Sequence, residues 1–428
     1  VSWHITCCVL RTKLMVRFQE DFASSPSSSE MGSIVDPIVD KPFEGAEKLL
    51  EISFQRPRRH IAKFRNGSYA ANRMKLVEND SEPEINLLRL RRDDVEKILD
   101  KVNCSILNEC RSDQVTAYLL SESSLFIFED RMIVKTCGQT NLLNAIEDFI
   151  GLGKSVGFDS VAEVFYSRPK FLNPDEQPFR HQKFKRETET LLNYFDKGLA
   201  RVLGSTNSDC YHLFCFSRNR SPRRSNCTVE VIMNSLDNDK RMLFFKEGDR
   251  TASDVTKSAG IADLFTNSSV MIDDYLFEPC GYSVNGIIDQ KRYFTVHVTP
   301  EKCASYASFE TDHCENAAEL VGKVVAIFQP SRFIVTVISD ESSHADVHGQ
   351  LRSADLVAGY ERCEFQFAMF CHQTATFARF ESRRLAGPPP DDGAAFVAAA
   401  VLETDASAGD PCEPDPRDVW CQGEGPYF

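Results

Sequence analysis

The sequence has 428 residues, 42% of them hydrophobic, which is enough apolar material for one large folded domain or two smaller ones and excludes a wholly disordered chain. Its 49 basic and 63 acidic residues give a net charge of −14, which argues against general nucleic-acid affinity and suits a cationic small-molecule ligand. No apolar run reaches the roughly 18 residues that a membrane span needs, so we expect no membrane association.

The cysteines and histidines give no strong metal signal. Fifteen cysteines are spread from Cys7 to Cys421 without a C-x-x-C pair or a regular spacing, which indicates reduced thiols in a cytosolic protein. His344 and His348 have the i, i+4 spacing of a helical metal site, but without a third ligand nearby a polar loop is the favoured interpretation. We therefore predict that no metal is bound.

The two ends of the chain differ in composition from the middle. Residues 1–40 are rich in serine and residues 384–428 in proline, alanine, glycine and aspartate, so both are predicted to be disordered. This leaves 41–383 as the folded part. Within it, residues 55–76 form a basic run without an acid, for which a solvated loop is favoured over a binding patch.

Helix and strand patterns alternate through the folded part. Helical periodicity marks RDDVEKILDKV (92–102), TNLLNAIEDFIGLGKSVG (140–157) and ENAAELVGKVVAIFQP (315–330). Strand patterns mark TVEVIM (228–233), YFTVHVT (293–299) and RFIVTVI (332–338). In YFTVHVT the apolar residues share one face of the strand, and Thr295, His297 and Thr299 share the other. This mixture predicts a layered α+β domain.

One hydroxyl-rich stretch interrupts a strand-like region. In YLLSESSLFIFEDRMIVKTCG (118–138), residues Ser121 to Ser124 separate two apolar segments. Serine side chains bond nearby backbone groups and favour turns, so these residues alone predict a β-hairpin turn.

Five stretches together resemble the eukaryotic S-adenosylmethionine decarboxylase proenzyme, in the same order and with similar spacing. The resemblance covers roughly residues 42–380 and implies a four-layer αββα sandwich of two antiparallel sheets flanked by helices. It also implies a homodimer of processed αβ units. The stretches are FEGAEKLLEISF (43–54), LSESSLFIFEDRMIVKTCG (120–138), FDSVAEVFYSR (158–168), FEPCGYSVNG (277–286) and TVHVTPEKCASYASFET (295–311).

The resemblance gives the serines a chemical role. In the family the chain cuts itself at the position of Glu122 and Ser123, and the serine becomes a covalent pyruvoyl cofactor. The Ser123 hydroxyl would attack the preceding carbonyl to form an ester, and β-elimination would then release the N-terminal chain. Ser283 matches the residue that hydrogen-bonds the rearranging carbonyl, and His297 matches the base that removes the α-proton. An imidazole with a pKa near 6.5 suits that task.

The substrate implied by the family is S-adenosylmethionine. Its amine would form a Schiff base with the pyruvoyl group, which accepts the electrons left when CO2 departs. Cys137 matches the proton donor to the resulting carbanion. The other matches are Phe43 and Phe277 on either side of the adenine, Glu301 on the ribose hydroxyls, Glu122 as a substrate contact, and Glu44 and Glu47 as acids needed for activity. The spacing of Glu44 and Glu47 is also typical of a surface helix.

Animal members of the family have an acidic site at which putrescine activates processing and catalysis. Six residues here match it: Glu51, Lys135, Phe165, Thr228, Glu230 and Glu310. Three do not, because Asn226 replaces an acid, and Ile338 and Gln373 replace aromatic residues. We therefore expect weak or no stimulation by putrescine.

Three functions remain to be compared. The favoured one is an active, self-processing decarboxylase that makes decarboxylated S-adenosylmethionine and CO2 for spermidine and spermine synthesis. A catalytically dead regulatory paralogue is the alternative, and the presence of Ser123, Cys137, Ser283 and His297 argues against it. A nucleic-acid-binding module would need the basic run to lie on a stacking platform, which no sequence feature supplies.

Overall fold

The computed structural model describes residues 42–57, 85–218, 227–340, 345–353, 355–370 and 373–383. The predicted tails at 1–40 and 384–428 lie outside the described residues, as do Asn226, His344 and all but 55–57 of the basic run. Within the described ranges, sixteen strands form two eight-stranded sheets. Among the described helices, none is long and apolar enough to cross a membrane.

The first sheet is built from the N-terminal half of the described chain. Its order is β2-β3-β4-β5-β1-β6-β8-β7, and its neighbouring strands are antiparallel. The first strand in sequence therefore lies in the middle of the sheet. The strands are β1 Lys48–Gln55, β2 Ile106–Arg111, β3 Val115–Leu120, β4 Ser123–Phe128, β5 Arg131–Thr136, β6 Ser160–Pro169, β7 Leu199–Leu203 and β8 Tyr211–Ser217.

The second sheet repeats this arrangement with the C-terminal half. Its order is β10-β11-β12-β13-β9-β14-β16-β15, again with antiparallel neighbours. The strands are β9 Cys227–Asn234, β10 Val270–Leu276, β11 Tyr282–Ile288, β12 Arg292–Thr299, β13 Tyr306–Thr311, β14 Arg332–Asp340, β15 Tyr360–Phe370 and β16 Gln373–Ser382.

Helices cover the outer face of each sheet. Leu99, Phe149 and Leu191 of the first three helices pack in one apolar cluster with the first sheet. Val255 and Val321 of later helices pack in a second cluster with the second sheet. The α-helices are α1 Arg92–Lys101, α2 Ile146–Ser155, α3 Phe184–Tyr194, α4 Asn238–Met242, α5 Ala252–Ser258, α6 Ala317–Phe328 and α7 Ala345–Gln350.

The inner faces of the two sheets pack directly against each other. Leu213 of β8 lies in one cluster with Ile334 of β14 and Phe377 of β16. Phe126 of β4 contacts Tyr293 of β12, with 4.5 Å between the ring centroids. The order of layers is therefore helix, sheet, sheet, helix, and the predicted αββα sandwich is confirmed.

Most of the predicted elements are present. The hairpin turn is confirmed, since Leu120 pairs with Ser123 and only two residues connect β3 to β4. The helix predicted at 140–157 is a 3₁₀ turn, Leu142–Ala145, followed by α2.

One local prediction was wrong, and one alternative that the sequence left open is excluded. The segment after residue 344 is not a polar loop but helix α7, whose His348 is buried between Ser339 and Thr376 at 2.7 and 2.8 Å. Glu44 and Glu47 do not lie on a surface helix: both are buried in the irregular segment that leads into β1.

Candidate active site

The predicted cleavage point lies at one end of the interface between the two sheets. Ser123 is the first residue of β4 and is 2% exposed. It contributes to a cavity, here named the Ser123 cavity, whose lining comes from both sheets. The lining residues are Phe43, Gly45, Ser121, Glu122, Ser123, Cys137, Phe277, Gly281, Tyr282, Ser283, His297, Val298 and Thr299.

The backbone of Ser123 has an unusual conformation. Its φ is +115°, a region that non-glycine residues rarely occupy because the side chain clashes with the backbone. Such a conformation costs on the order of 1–3 kcal/mol and persists only where the surroundings enforce it. Here the pairing of β4 with β3 and β5 begins at this residue, so the sheet holds Ser123 in place from both sides.

Both partners of the expected cleavage reaction are held by hydrogen bonds. The Glu122 carbonyl oxygen accepts from the Cys137 backbone N–H at 3.1 Å, and the Ser123 hydroxyl donates to Glu47 Oε1 at 2.9 Å. A donor on the carbonyl oxygen favours negative charge there, and a carboxylate on the hydroxyl can accept its proton. The arrangement can therefore promote attack of the hydroxyl on the carbonyl.

Glu47 is ionised despite its burial. Burial alone would raise the pKa of its carboxyl group, but the positive charge of Lys135 is the largest of several influences that together leave this pKa below its usual value. The Lys135 Nζ lies 3.7 Å from Glu47 Oε2. The carboxylate next to Ser123 is thus in its proton-accepting form at neutral pH.

His297 reaches the site from the second sheet. Its Nδ1 lies 2.8 Å from the Ser283 hydroxyl on the paired strand β11, and its Nε2 lies 3.7 Å from Glu47 Oε1. Burial lowers the pKa of His297 to about 4, with Glu47 opposing and Lys135 adding to that shift. The imidazole is therefore neutral, as a base must be, but less basic than the pKa near 6.5 expected from the sequence.

Cys137 is suited to donating a proton. Burial, followed by the nearby carboxylates of Glu122 and Glu47, raises the pKa of its thiol well above the usual value. Its Sγ lies 3.8 Å from Glu122 Oε2. The thiol is therefore protonated at neutral pH. The adjacent Gly138, with φ of +59°, allows close packing here, because a β-carbon at that position would lie 3.1 Å from the Phe43 ring.

The predicted substrate-binding residues lie in and near the cavity. Phe43 lines it from the segment before β1, Phe277 from the segment after β10 and Glu122 from the turn between β3 and β4. Glu301 is buried just after β12 and is not part of the cavity lining. Glu44 is also outside the lining: its Oε2 accepts from the Asn173 backbone N–H at 2.8 Å, so its carboxylate anchors a neighbouring loop.

A second cavity, here named the acidic cavity, contains most of the putrescine-site-like residues. Glu51, Phe165, Thr228, Glu230, Glu310, Ile338 and Gln373 all line it. Lys135 ends beside it, with its Nζ 2.9 Å from Glu230 Oε1 and 3.0 Å from Glu310 Oε2. Because the same ammonium lies near Glu47, Lys135 connects the acidic cavity electrostatically to the Ser123 cavity.

Basic residues of the protein already pair with some of the carboxylates of the acidic cavity. Arg131 pairs with Glu51 at 3.4 Å and with Asp312 at 2.7 Å. Burial nevertheless raises the pKa of Glu310 to about 7, against the opposing charge of Lys135. Two acids that the sequence did not single out, Glu163 and Asp340, also line this cavity.

Several residues at the Ser123 site were missed by sequence reasoning. Ser124 and Thr295 contact His297 Nε2, and Asn285 contacts both of their hydroxyls. Thr295 shares the polar strand face with His297, and that alternation could have identified it. The Cys137 backbone N–H leaves no trace in a sequence pattern. Within the described residues, no group of three or more potential metal ligands is present.

Comparison with known proteins agrees with this site. The adenosylmethionine decarboxylase family model matches residues 40–381. A protein of Xenopus laevis named S-adenosylmethionine decarboxylase proenzyme is 35% identical over 342 residues, which cover 79% of this chain and 95% of that protein. Proteins of the same name from Drosophila melanogaster and Pisum sativum are 33% and 37% identical, over 81% and 72% of this chain and 97% and 84% of theirs.

The matched region includes every strand of both sheets except the last residue of β16, and all of the Ser123 cavity. The relatives include animal and plant proteins at similar identity, so the likeness is not confined to one lineage. This chain belongs to the adenosylmethionine decarboxylase family, a family of enzymes.

Proposed function

We propose that this protein is a self-processing, pyruvoyl-dependent enzyme that converts S-adenosyl-L-methionine to decarboxylated S-adenosylmethionine and CO2 for spermidine and spermine synthesis. The observation that supports this most directly is the state of the Glu122–Ser123 peptide. Ser123 has a φ of +115°, its hydroxyl is bonded to Glu47, and the Glu122 carbonyl is bonded to the Cys137 N–H.

In the first proposed step, Glu47 accepts the hydroxyl proton as Ser123 Oγ attacks the Glu122 carbonyl carbon. The Cys137 N–H stabilises the charge on the carbonyl oxygen, and Ser283 lines the same cavity from the opposite sheet. The C–N bond then breaks and the nitrogen takes a proton. The amide has become an ester, and Ser123 has a free α-amine.

In the second step, His297 removes the α-proton of Ser123. The Cβ–O bond breaks, so that Glu122 leaves as a C-terminal carboxylate and residue 123 becomes dehydroalanine. Water then displaces ammonia from the tautomeric imine, which yields the pyruvoyl group. The low pKa of His297 keeps its imidazole unprotonated for this step.

The residues around position 123 suit this cofactor. The pyruvoyl group would supply an electron sink for the carbanion that loss of CO2 leaves. Cys137, with its protonated thiol, would return a proton to the substrate Cα. Phe43 and Phe277 would stack on the adenine, a type of contact worth about 1–3 kcal/mol per base. Glu301 would accept hydrogen bonds from the ribose hydroxyls.

The decarboxylase domain is proposed to span residues 41–383, cut between 122 and 123. We place the protein in the cytosol, where its cysteines would stay reduced. The ten cysteines in the described part of the chain are free thiols, which agrees with a reducing compartment.

A homodimer of processed units is also proposed. Strands β7 and β15 are edge strands of the two sheets, and hydrogen bonds from Gly204 N to Gln366 and from Ser205 N to Glu364 place them at the same side of the molecule. These two edges carry exposed apolar side chains, which favour association with a second copy. They are Leu199, Val202, Phe367 and Met369, between 37% and 62% exposed.

A denaturing gel of the purified protein tests self-cleavage. We expect two fragments that meet at Glu122 and Ser123, and Ser123→Ala should leave one uncut chain. Cys137→Ala is the matched variant for catalysis: it keeps the backbone N–H on the Glu122 carbonyl and should still be cut, but decarboxylation of S-adenosylmethionine should fall by at least about tenfold. An uncut wild-type chain would instead indicate the catalytically dead paralogue.

A further inference from the structure

Three buried polar residues surround the Nε2 side of His297. Ser124 Oγ lies 3.0 Å from this nitrogen and Thr295 Oγ1 lies 2.8 Å from it. Both hydroxyls also contact Asn285 Oδ1, at 2.6 and 3.0 Å respectively. Ser124, Thr295 and Asn285 are each at most 1% exposed, so these contacts do not compete with bulk water.

Counting hydrogens in this network fixes the position of the imidazole proton. Ser124 Oγ and Thr295 Oγ1 also lie 3.3 Å from each other, but each has a shorter contact to Asn285 Oδ1. An amide oxygen can only accept, so each hydroxyl donates its single hydrogen to Asn285 Oδ1. Neither hydroxyl has a second hydrogen for His297, and each can only accept from Nε2. The proton of the neutral ring therefore lies on Nε2. Nδ1 is left with a lone pair, which accepts from the Ser283 hydroxyl.

The count depends on which way the Asn285 amide points, because a flipped amide would reverse every donor and acceptor. Asp273 on β10 determines this. It pairs directly with Asn285 across the β10–β11 ladder, and residues opposite each other project from the same face of a sheet. A flip would turn the amide oxygen towards the Asp273 carboxylate, which repels it. The amide NH2 therefore points towards Asp273.

The position of Asp273 is itself fixed. Its Oδ1 accepts from Asn108 Nδ2 on β2 at 3.0 Å. Its Oδ2 and Asn285 Nδ2 are both buried and neither has a hydrogen-bond partner among the described residues, so Asp273 acts on the amide through its charge and not through a hydrogen bond. Glu47 adds an independent argument, since its carboxylate lies 3.7 Å from His297 Nε2 and favours a proton on that nitrogen.

We propose that Asn285, oriented by Asp273, is a positioning residue that holds His297 in the Nε2–H tautomer and so makes Nδ1, on the Ser283 side, the basic nitrogen. The inference rests on the self-cleavage proposed above. It also assigns the hydroxyls next to the base: Ser124 and Thr295 hold the ring, and Glu47 Oε1 remains available to the Ser123 hydroxyl.

Nitrogen-15 NMR of histidine-labelled protein tests the tautomer directly. The background variant is Ser123→Ala, which keeps the chain uncut, and a His297→Gln spectrum identifies the signal among the nine histidines. We expect a neutral ring with the proton on Nε2. A proton on Nδ1 would overturn the inference. The tautomer is measured in an uncut chain. An uncut wild-type protein would therefore contradict the proposed function without affecting the test of the tautomer.

Two variants connect the tautomer to the reaction. The tautomer is measured in the Ser123→Ala background, and the cleavage rate is measured in the chain that keeps Ser123. Asn285→Leu removes the acceptor at similar volume, and Asp273→Asn removes the charge that orients the amide. Both variants should shift the NMR signal to the Nδ1–H form and slow self-cleavage. For Asn285→Leu we expect the cleavage rate to fall by between about tenfold and 10⁴-fold. The upper figure is the effect of a wrong histidine tautomer in a serine protease.

Asp274→Asn is the matched control for Asp273→Asn. Asp274 is the next residue of β10 and contacts Thr256 of α5 on the other face of the sheet. It should leave both the tautomer and the cleavage rate unchanged. If Asn285→Leu does not fold, Asp273→Asn decides: an unchanged tautomer and an unchanged rate in that folded variant would contradict the role assigned to the pair.

Discussion

At the residue scale, backbone strain and hydrogen bonding act on the same peptide bond. The cost of holding Ser123 at a φ of +115° is on the order of 1–3 kcal/mol, equivalent to roughly 5- to 150-fold in rate if cleavage releases all of it. That is too little to cleave an amide. In the proposed cleavage, most of the acceleration would therefore have to come from Glu47, His297 and the donor on the Glu122 carbonyl.

The pH dependence of self-cleavage tests the state of these groups. Burial lowers the pKa of His297 to about 4, and the Glu47 pKa also lies below its usual value. Both groups therefore keep their working protonation states from neutral pH down to about pH 5. Protonating His297 removes the base, so the rate should fall only as the pH drops through about 4.

The measurement is the rate constant for cleavage of freshly made precursor across this range, with circular dichroism to show that the chain stays folded. A rate that halves near pH 6.5 would mean that the imidazole is not shielded from water as the structure has it.

At the scale of elements, the two fragments of the proposed cleavage would stay interleaved. Cutting after Glu122 assigns β1, β2 and β3 to the small fragment and all later strands to the large one. Yet β1 lies between β5 and β6, and β3 pairs with β4. Separating the fragments would therefore break the centre of the first sheet and expose its buried residues, including Leu50 and Ile52.

We accordingly predict that the two fragments remain together until the protein is denatured. Size-exclusion chromatography in native buffer should give one peak containing both fragments, and a denaturing gel of that peak should show two bands. Release of the small fragment in native buffer would contradict the strand order of the first sheet.

The walls of the acidic cavity bear on activation by putrescine. Ile338 of β14 and Gln373 of β16 line it where aromatic residues are expected in animal relatives, and Arg131 and Lys135 already pair with three of its carboxylates. We predict little or no effect of putrescine on cleavage or decarboxylation. Ile338→Phe combined with Gln373→Tyr should increase the response, and a several-fold stimulation of the unmodified protein would show that these walls do not control it.

The sequence patterns predicted individual helices and strands better than they predicted contacts between those elements. Alternation placed His297 on the polar face of β12, and helical periodicity found α1, α2 and α6, because both patterns reflect burial within a single element. His348 was misassigned because α7 has only six residues and is held by contacts to β14 and β16. Asn285 was missed for the same reason: its role depends on partners from β4, β10 and β12.

The family motifs identified site residues that periodicity could not identify. Ser123, Glu122, Cys137, Ser283 and His297 come from four strands and the segments beside them, yet the structure brings all five to one cavity. The motif match did not reveal that Glu44 and Glu47 differ, since only the geometry shows Glu47 on the Ser123 hydroxyl and Glu44 on Asn173.

At the scale of the whole molecule, the edges of the sheets predict assembly. Sedimentation velocity should give the mass of a dimer, and replacing Phe367 and Met369 on β15 with glutamate should give a monomer, because charges would be buried in the contact. Met271→Glu on β10, an exposed residue at the opposite edge of the second sheet, is the matched control and should remain dimeric. A monomeric wild-type protein would contradict the proposed interface.

The central claim is that Ser123 is converted into the cofactor, and intact-mass spectrometry of the large fragment tests it most directly. The account predicts a fragment that starts at residue 123 and is lighter, by one ammonia, than the same chain beginning with an unmodified serine. A large fragment that begins with intact Ser123 would mean that the chain is cut by ordinary hydrolysis, and an uncut wild-type chain would mean that the strained peptide is not cleaved. Either result would contradict the account.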